Sequence, residues 1–420
     1  MTMLETAHDC GYPIGRRHRP RSTVGHLLGA LCSSTAIPAA SILLDRSSRE
    51  RLDRFKAAAA QRRRRGPRMR ALSVGPGGRI EWCDAPVPLA PGPRGATVHP
   101  IAAATCDLDR AMALGRTPFL LPFHFGHECV AEVVEVGDDV TTVRPGDRVV
   151  VPFQISCGTC ARCVAGLTSN CLSVPPISMY GFGLMGGHWG GAYSELLGVP
   201  FADGMLVPLP EGIDPVAAAS VADNVTDAYR TVAPYIDDLL GFDRAADVVI
   251  LAEVGRRIPL SSSVPLYAGQ IAKALGVENV HLVDRRPHVR RHAEALGIEA
   301  HSPDAMKRVP RAGLVIDDTG SPAGLGLAIK QTAPDGTCVS GVSLVRSTAL
   351  PTALMYGRNI TFRLGRSNAR ANIPAVLELM RTGALKPELV TTHRGEMRHA
   401  DRAVDEHVRG EATKTIVVED

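Results

Sequence analysis

No charge-free apolar run in this sequence reaches the roughly 20 residues that a membrane-crossing helix needs, so no membrane span is expected. Neither sign of charge dominates: 47 Lys and Arg stand against 43 Asp and Glu, a net charge of +4. Fourteen of those basic residues and five of the acidic ones fall in residues 1–68. The rest of the chain is therefore mildly acidic, which argues against a nucleic-acid-binding body. Internal repeats and low-complexity tracts are also missing, which excludes a repeat architecture. These absences leave a cytoplasmic globular protein with small-molecule partners as the expectation.

A chain of 420 residues with 45% apolar and 21% charged residues is long enough for two cored domains. Residues 1–68 stand apart, with scattered Arg and a basic run, Arg62 to Arg65, before Gly66-Pro67. They are read as an extension outside the fold, either a disordered tail or the product of a start codon placed too far upstream. A targeting peptide or a basic arm is the functional alternative. From Met69 the chain is rich in Gly and Pro, with short β-branched runs at Val130–Val136 and Arg148–Val151 broken by Gly137-Asp138 and Pro145-Gly146-Asp147. That pattern predicts a β-rich domain over 69–217. Residues 218–353 alternate instead. Strands are predicted at Val248–Leu251, Val280–Val283, Leu314–Ile316 and Thr337–Val339, with helices at 266–275, 288–296 and 322–332 between them. Such a succession implies a parallel sheet with crossover helices. An amphipathic helix at Ile373–Met380 and a strand at Lys414–Val418 are predicted in the last segment, 354–420.

The chain has ten cysteines, and four of them, Cys157, Cys160, Cys163 and Cys171, crowd into fifteen residues at spacings of two, two and seven. Four thiolates so placed can close a tetrahedron around Zn²⁺, and Gly158 and Gly166 ease the tight wrapping. An iron–sulfur cluster and unligated thiols are the alternatives. Upstream stand Cys106-Asp107-Leu108-Asp109 and Gly126-His127-Glu128. Taken together, these motifs resemble the zinc-dependent medium-chain alcohol dehydrogenases, of the medium-chain dehydrogenase/reductase superfamily, and the likeness extends over residues 69–420. The resemblance implies an α/β protein with a GroES-like catalytic domain, a Rossmann doubly wound coenzyme domain and a C-terminal segment that returns to the catalytic domain. It implies two zincs per chain: a structural one on the four clustered cysteines, and a catalytic one on Cys106, His127 and Asp223, the last within Ser220-Val221-Ala222-Asp223-Asn224-Val225. Glu128 is then a neighbouring group or an intermittent ligand, and Asp109 orients His127. Singly, each of these residues has an ordinary reading: buried small hydrophobe, loop histidine, solvated charge, helix cap.

The activity so implied is hydride transfer between an alcohol, or its aldehyde or ketone, and a nicotinamide cofactor, in a homodimer or homotetramer. The sequence departs from the family at the proton relay, where Leu108 and Ala111 replace a hydroxyl and a histidine; water, Asp107 or a zinc-bound hydroxide must serve instead. It departs again at the glycine-rich turn that brings pyrophosphate to a helix N-terminus. Between Leu251 and Tyr267 only Gly255 is a glycine, no GxGxxG can be drawn, and Pro265 stands near the third glycine position. Glu253 obstructs an anion there, and Arg256 and Arg257 offset it. Asp284, after Val280–Val283, suits the ribose hydroxyls and favours NAD over NADP, although Arg285 and Arg286 suit a 2′-phosphate. A cofactor-impaired, zinc-binding relative with a regulatory or binding role is the alternative to an enzyme. From the break at Met69, a chain beginning there is expected to melt within about a degree of the full chain and to turn over equally fast; calorimetry showing a loss of several degrees would reject the reading.

Overall fold

The computed structural model describes residues 66–255, 260–342 and 347–419, together with the short strand His8–Asp9. The β-rich part is built on two long antiparallel strands, Ala96–Ala104 and Glu128–Val136. In the second of these, buried Val130, Ala131 and Val133 are followed by exposed Val134 and Glu135, so the inner half is core and the outer half meets water. Strand Arg148–Val151 and then Val207–Pro208 extend the sheet on one side. On the other, Thr415–Val418 pairs antiparallel with Ala102–Ala104, and His393–Glu396 lies parallel to it. The chain's end thus lies beside the strand that leads into Cys106. A smaller sheet joins Arg68–Val74 to Ile80–Pro86 and Phe123–His124. His8–Asp9 runs parallel to Cys83–Asp84, so the expected extension touches the body at this one described pairing; the basic run Arg62–Arg65 lies outside the described residues.

The second sheet has six strands, all parallel, in the order 299–301, 279–283, 247–251, 312–317, 332–340, 361–364. Its connection order reverses beside Asp247–Leu251, which is where doubly wound folds open a crevice for ligands. The last strand, Thr361–Leu364, falls past the expected break at Ala353; it carries no buried residue and hence no pattern that marks it as sheet. Helix Ser263–Ala274 starts three residues before the expected 266 because Pro265 occupies its first turn, where a missing N–H costs nothing. Helices Pro287–Ala295 and Pro322–Gln331 end one residue short of expectation.

Helix Asn224–Phe242, which contains Pro234, has no counterpart among the helices expected from the sequence. The proline faces solvent, while Val225, Ala228, Val232 and Ile236 form the buried stripe. This helix closes one continuous apolar cluster that takes in Val130 and Val150 of the antiparallel sheet and Val248, Ile250 and Leu314 of the parallel sheet. The two sheets are therefore joined by core packing, with the N-terminus of this helix at the seam. None of the described helices is long and apolar enough to cross a membrane.

Candidate functional site

Cys157, Cys160, Cys163 and Cys171 hang on a compact lobe whose sulfurs all lie within 4.8 Å of one another. None of the four is in a disulfide. The turn at Gly158 has φ +75°, and a Cβ there would sit 2.6 Å from the Cα of Gly204, so only glycine fits. Backbone amides aim at the sulfurs: Cys160 N–H donates to Cys157 Sγ at 3.3 Å, Cys157 N–H to Cys171 Sγ at 3.3 Å and Leu172 N–H to Cys160 Sγ at 3.4 Å. The Ser173 hydroxyl adds a bond to Cys157 Sγ at 3.2 Å. Burial opposes ionisation of Cys157, but the bonds from Ser173, Thr159 and Cys160 outweigh it and bring the thiol down to about 5. Cys160 is lowered by similar bonds, whereas burial and the neighbouring sulfurs push Cys163 and Cys171 up, so four converging sulfurs that do not all ionise by themselves fit a soft cation.

The second cluster forms at the seam. Cys106 follows strand Ala96–Ala104, His127 and Glu128 stand at the start of the neighbouring strand, and Asp223 sits between the 3₁₀ turn Ala219–Ala222 and helix Asn224–Phe242. One donor atom from each of the four lies within 4.8 Å of the others, and all four residues are buried. Asp223 Oδ2 is 3.3 Å from both Cys106 Sγ and His127 Nε2. The His127 ring packs against Phe182 and Phe153, with centroids at 4.7 and 5.9 Å, yet neither of its nitrogens has a hydrogen-bond partner. Glu128 Oε1 is likewise unpartnered. Burial, then the charges of Asp223 and Glu128, push the Cys106 thiol well above its usual range, and burial drives the Glu128 carboxyl up against the pull of Lys414. Buried anionic donors that converge, repel one another and leave an imidazole unbonded fit a divalent cation.

Asp109 does not take the expected place beside His127. Its Oδ2 accepts the Cys106 N–H at 2.8 Å and its Oδ1 has no partner, so it fixes the backbone of Cys106 rather than the imidazole. Burial raises its carboxyl to about 6. Two residues that sequence reasoning missed complete the cluster. Lys414, wholly buried, donates to Glu128 Oε2 and to Asn224 Oδ1, each at 2.8 Å. Asn224 in turn donates to Cys106 Sγ at 3.2 Å and to Asp223 Oδ2 at 3.1 Å. A lone lysine opening an otherwise apolar terminal strand was the available signal. Leu108 and Ala111 leave the relay positions apolar.

A cleft of about 650 Å³ opens beside this seam, lined among others by Arg110, Glu253, Ser262, Arg285 and Arg286. Asp284, fully buried, sits behind Ser262 and Arg286 of that lining, and its carboxylate is already engaged. Arg286 donates to Oδ2 at 2.7 Å and, through Nε, to Oδ1 at 3.0 Å; Ser262 and the Glu253 N–H also point at Oδ2. Arg285 is half exposed and paired with Glu253. Gly255 has open space around it and makes no close approach, and Arg256 and Arg257 lie outside the described residues. At the N-terminus of helix Ser263–Ala274, where a pyrophosphate is expected, stands Asp107. Its Oδ1 accepts the Ser263 N–H at 2.9 Å and hydroxyl at 2.6 Å, and its Oδ2 accepts the Val264 N–H at 3.0 Å. With all these bonds it caps the helix and is not free to relay a proton.

The sequence profile of the alcohol dehydrogenase GroES-like domain matches residues 92–211. A probable zinc-binding alcohol dehydrogenase of Mycobacterium tuberculosis is 31% identical over 352 residues, 82% of this chain and 85% of that protein. The geraniol dehydrogenase of Castellaniella defragrans is 30% identical, over 72% of this chain and 84% of its own. Among solved structures, the alcohol dehydrogenase TADH from Thermus sp. ATN1 superposes with a TM-score of 0.73 at 30% identity, covering 84% of this chain and 100% of that one.

The Lys414–Glu128 pair lends itself to a double-mutant cycle. Lys414→Met is expected to destabilise the fold by about 3–5 kcal/mol, because it strands a buried carboxylate. Adding Glu128→Gln should restore much of that loss. Chemical denaturation would refute the pairing if the two effects simply added.

Proposed function

Because the chain belongs to the zinc-type alcohol dehydrogenases of the medium-chain superfamily, oxidoreductases that use a nicotinamide cofactor, we propose that Cys106, His127 and Asp223 hold a catalytic zinc at the domain seam. The observation that carries this is the convergence of buried donors there with an imidazole left unbonded. Zinc bound by these residues would supply a Lewis acid that lowers the pKa of an alcohol or polarises a carbonyl. Glu128, held by Lys414, is assigned to positioning rather than constant ligation, and Asn224 steadies both Cys106 and Asp223. Asp109 keeps the Cys106 backbone in place. The apolar walls Phe153 and Phe182 fix the His127 ring and keep water from its face. Cys157, Cys160, Cys163 and Cys171 hold a second, structural zinc, a role supported by the amide-to-sulfur bonds. The division into a catalytic domain completed by the C-terminal strands and a coenzyme domain between is part of the same reading, as is assembly into a homodimer or homotetramer.

NAD is the proposed coenzyme, with Asp284 as ribose acceptor in the cleft lined by Glu253 and Arg285. A second reading for the nucleotide, NADP, is favoured by one observation: Arg286 covers Asp284 and would meet a 2′-phosphate as a ready cation. A zinc-binding relative with a regulatory role finds support in Asp107, whose carboxylate holds the helix N-terminus that a pyrophosphate needs.

The central experiment measures zinc content and NADH absorbance over an alcohol panel on the same sample. Two zincs per chain and turnover of at least one alcohol are expected. Cys106→Ala should lose one zinc and all turnover with little change in melting temperature, whereas Cys160→Ser should lose the other and melt several degrees lower. Turnover by Cys106→Ala would overturn the assignment. For the cofactor, calorimetric titration of Asp107→Gly should show NADH binding about tenfold tighter than in the natural chain, equivalent to ~1.4 kcal/mol. Equal affinities would remove Asp107 from the coenzyme path, and NADPH binding tighter than NADH would reverse the choice of nucleotide.

A further inference from the structure

Far from both cysteine-containing clusters, the edge of the parallel sheet carries a third convergence of donors: His281 of strand Asn279–Val283 with Glu299 and His301 of the edge strand Glu299–His301. His281 stands directly across from Glu299 in the register, and His301 lies two residues further along. Alternate residues of a strand share a face, so the three side chains stand together on one side of the sheet. Asp247, at the start of the next strand, shares that face and bonds His281 Nε2 through its Oδ1 at 3.0 Å.

That last bond decides the chemistry. A carboxylate accepts, so in the neutral tautomer that donates to Asp247 from Nε2, the nitrogen offered on the opposite edge of the ring is Nδ1. Facing it are His301 Nε2 at 3.2 Å and Glu299 Oε2 at 3.3 Å, and Glu299 Oε1 lies 3.4 Å from His301 Nε2. For a tetrahedral ion with nitrogen and oxygen ligands near 2.0–2.1 Å, neighbouring donors lie about 3.3 Å apart. The His281–His301 edge and the edge from His281 to Glu299 Oε2 match that length, and Glu299 Oε1 offers its second oxygen at a similar distance from His301. The arrangement is a histidine braced by a carboxylate on one nitrogen with a ligand position on the other, as in carboxylate–histidine–metal units. Both imidazoles are largely buried. Glu299 is 66% exposed, which gives an ion a path in from solvent and leaves room for a water as fourth ligand.

We infer that His281, Glu299 and His301 form a third metal site, for a divalent cation of the zinc class, with Asp247 orienting His281. An imidazole-and-carboxylate donor set suits zinc and its borderline neighbours rather than calcium or magnesium. The ion would tie the three-residue edge strand to the sheet. That strand also supports the coenzyme cleft, since the Asp284 N–H donates to the His301 carbonyl at 3.1 Å.

The test compares the full chain with Glu299→Gln and His301→Ala, each freed of loosely held metal by a mild chelator and then titrated with Zn²⁺ alone. Glu299→Gln is exposed and close in shape, so it keeps the fold even if His301→Ala does not. The natural chain is expected to take up one more zinc per chain than either variant after chelation, and to gain several degrees of melting temperature on saturation that the variants do not gain. Loading with Co²⁺ should give the extra site a weak visible spectrum without the near-ultraviolet thiolate band of the cysteine sites. Turnover of Glu299→Gln should equal that of the natural chain. The comparison is a difference between chains, so it stands apart from the number of zincs at the cysteine sites. Equal zinc uptake by the natural chain and Glu299→Gln, or a thiolate band on the additional cobalt, would overturn the proposal.

Discussion

A single buried cation sets the terms for the centre of this molecule. Lys414 reaches a space that holds Glu128, Cys106, Asp223 and Asp109, where water is excluded and like charges face one another. Its position is raised in favour of the charged form despite burial, because Glu128 and its neighbours outweigh the loss of hydration. Burial first, and then repulsion among groups that one positive charge cannot balance, pushes the thiol of Cys106 and the carboxyls of Glu128 and Asp109 toward neutrality. A second, divalent charge at the same place relieves all of them together. The chain is thus charge-complementary to an ion, with Lys414 holding back the one carboxylate, Glu128, that would otherwise crowd it.

Getting that lysine into place constrains the topology. Glu128 and Lys414 are separated by 286 positions, and the contact exists because Thr415–Val418 pairs with Ala102–Ala104. The same pairing lets Thr105 and Thr415 exchange bonds beside Cys106. Helix Asn224–Phe242 brings Asp223 and Asn224 in from the other direction, on a packed stripe that belongs to the cores of both sheets. Three distant stretches therefore meet at one point, each held by extensive packing, and the donor atoms inherit the rigidity of the frame.

How legible this was depended on sequence distance. The four-cysteine lobe spans fifteen residues, and the convergence of its sulfurs is readable from spacing alone. The strands and helices of the coenzyme half follow from apolar runs and turn residues, and their ends shift by only a few positions. Cys106, His127 and Asp223 were named through family likeness, because nothing local links residues 117 positions apart. Lys414 and Asn224 escaped notice because their role lies wholly in partners elsewhere in the chain. Helix Asn224–Phe242 was hidden by a proline that does no harm on a solvent face, and strand Thr361–Leu364 by having no buried side to betray it. Asp109 was assigned to His127 by motif likeness, whereas the hydrogen bond it makes, to the Cys106 amide, is set by the local turn.

Asp107 gives the molecule an unusual thermodynamic character. It belongs to the loop of Cys106, yet its carboxylate is seated on the first amides of a helix in the other half of the protein. The polypeptide therefore supplies its own tethered competitor for any anion that seeks that helix end. A tethered rival acts at high effective concentration whatever the dilution, so the apparent dissociation constant of a dinucleotide is its intrinsic value divided by the fraction of molecules in which Asp107 has let go. Release must break three hydrogen bonds that also stitch the two halves together. Loosening of the seam and uptake of an anion at that helix end thus become one equilibrium, and the loop of Cys106 is set to feel it through the backbone of the neighbouring residue.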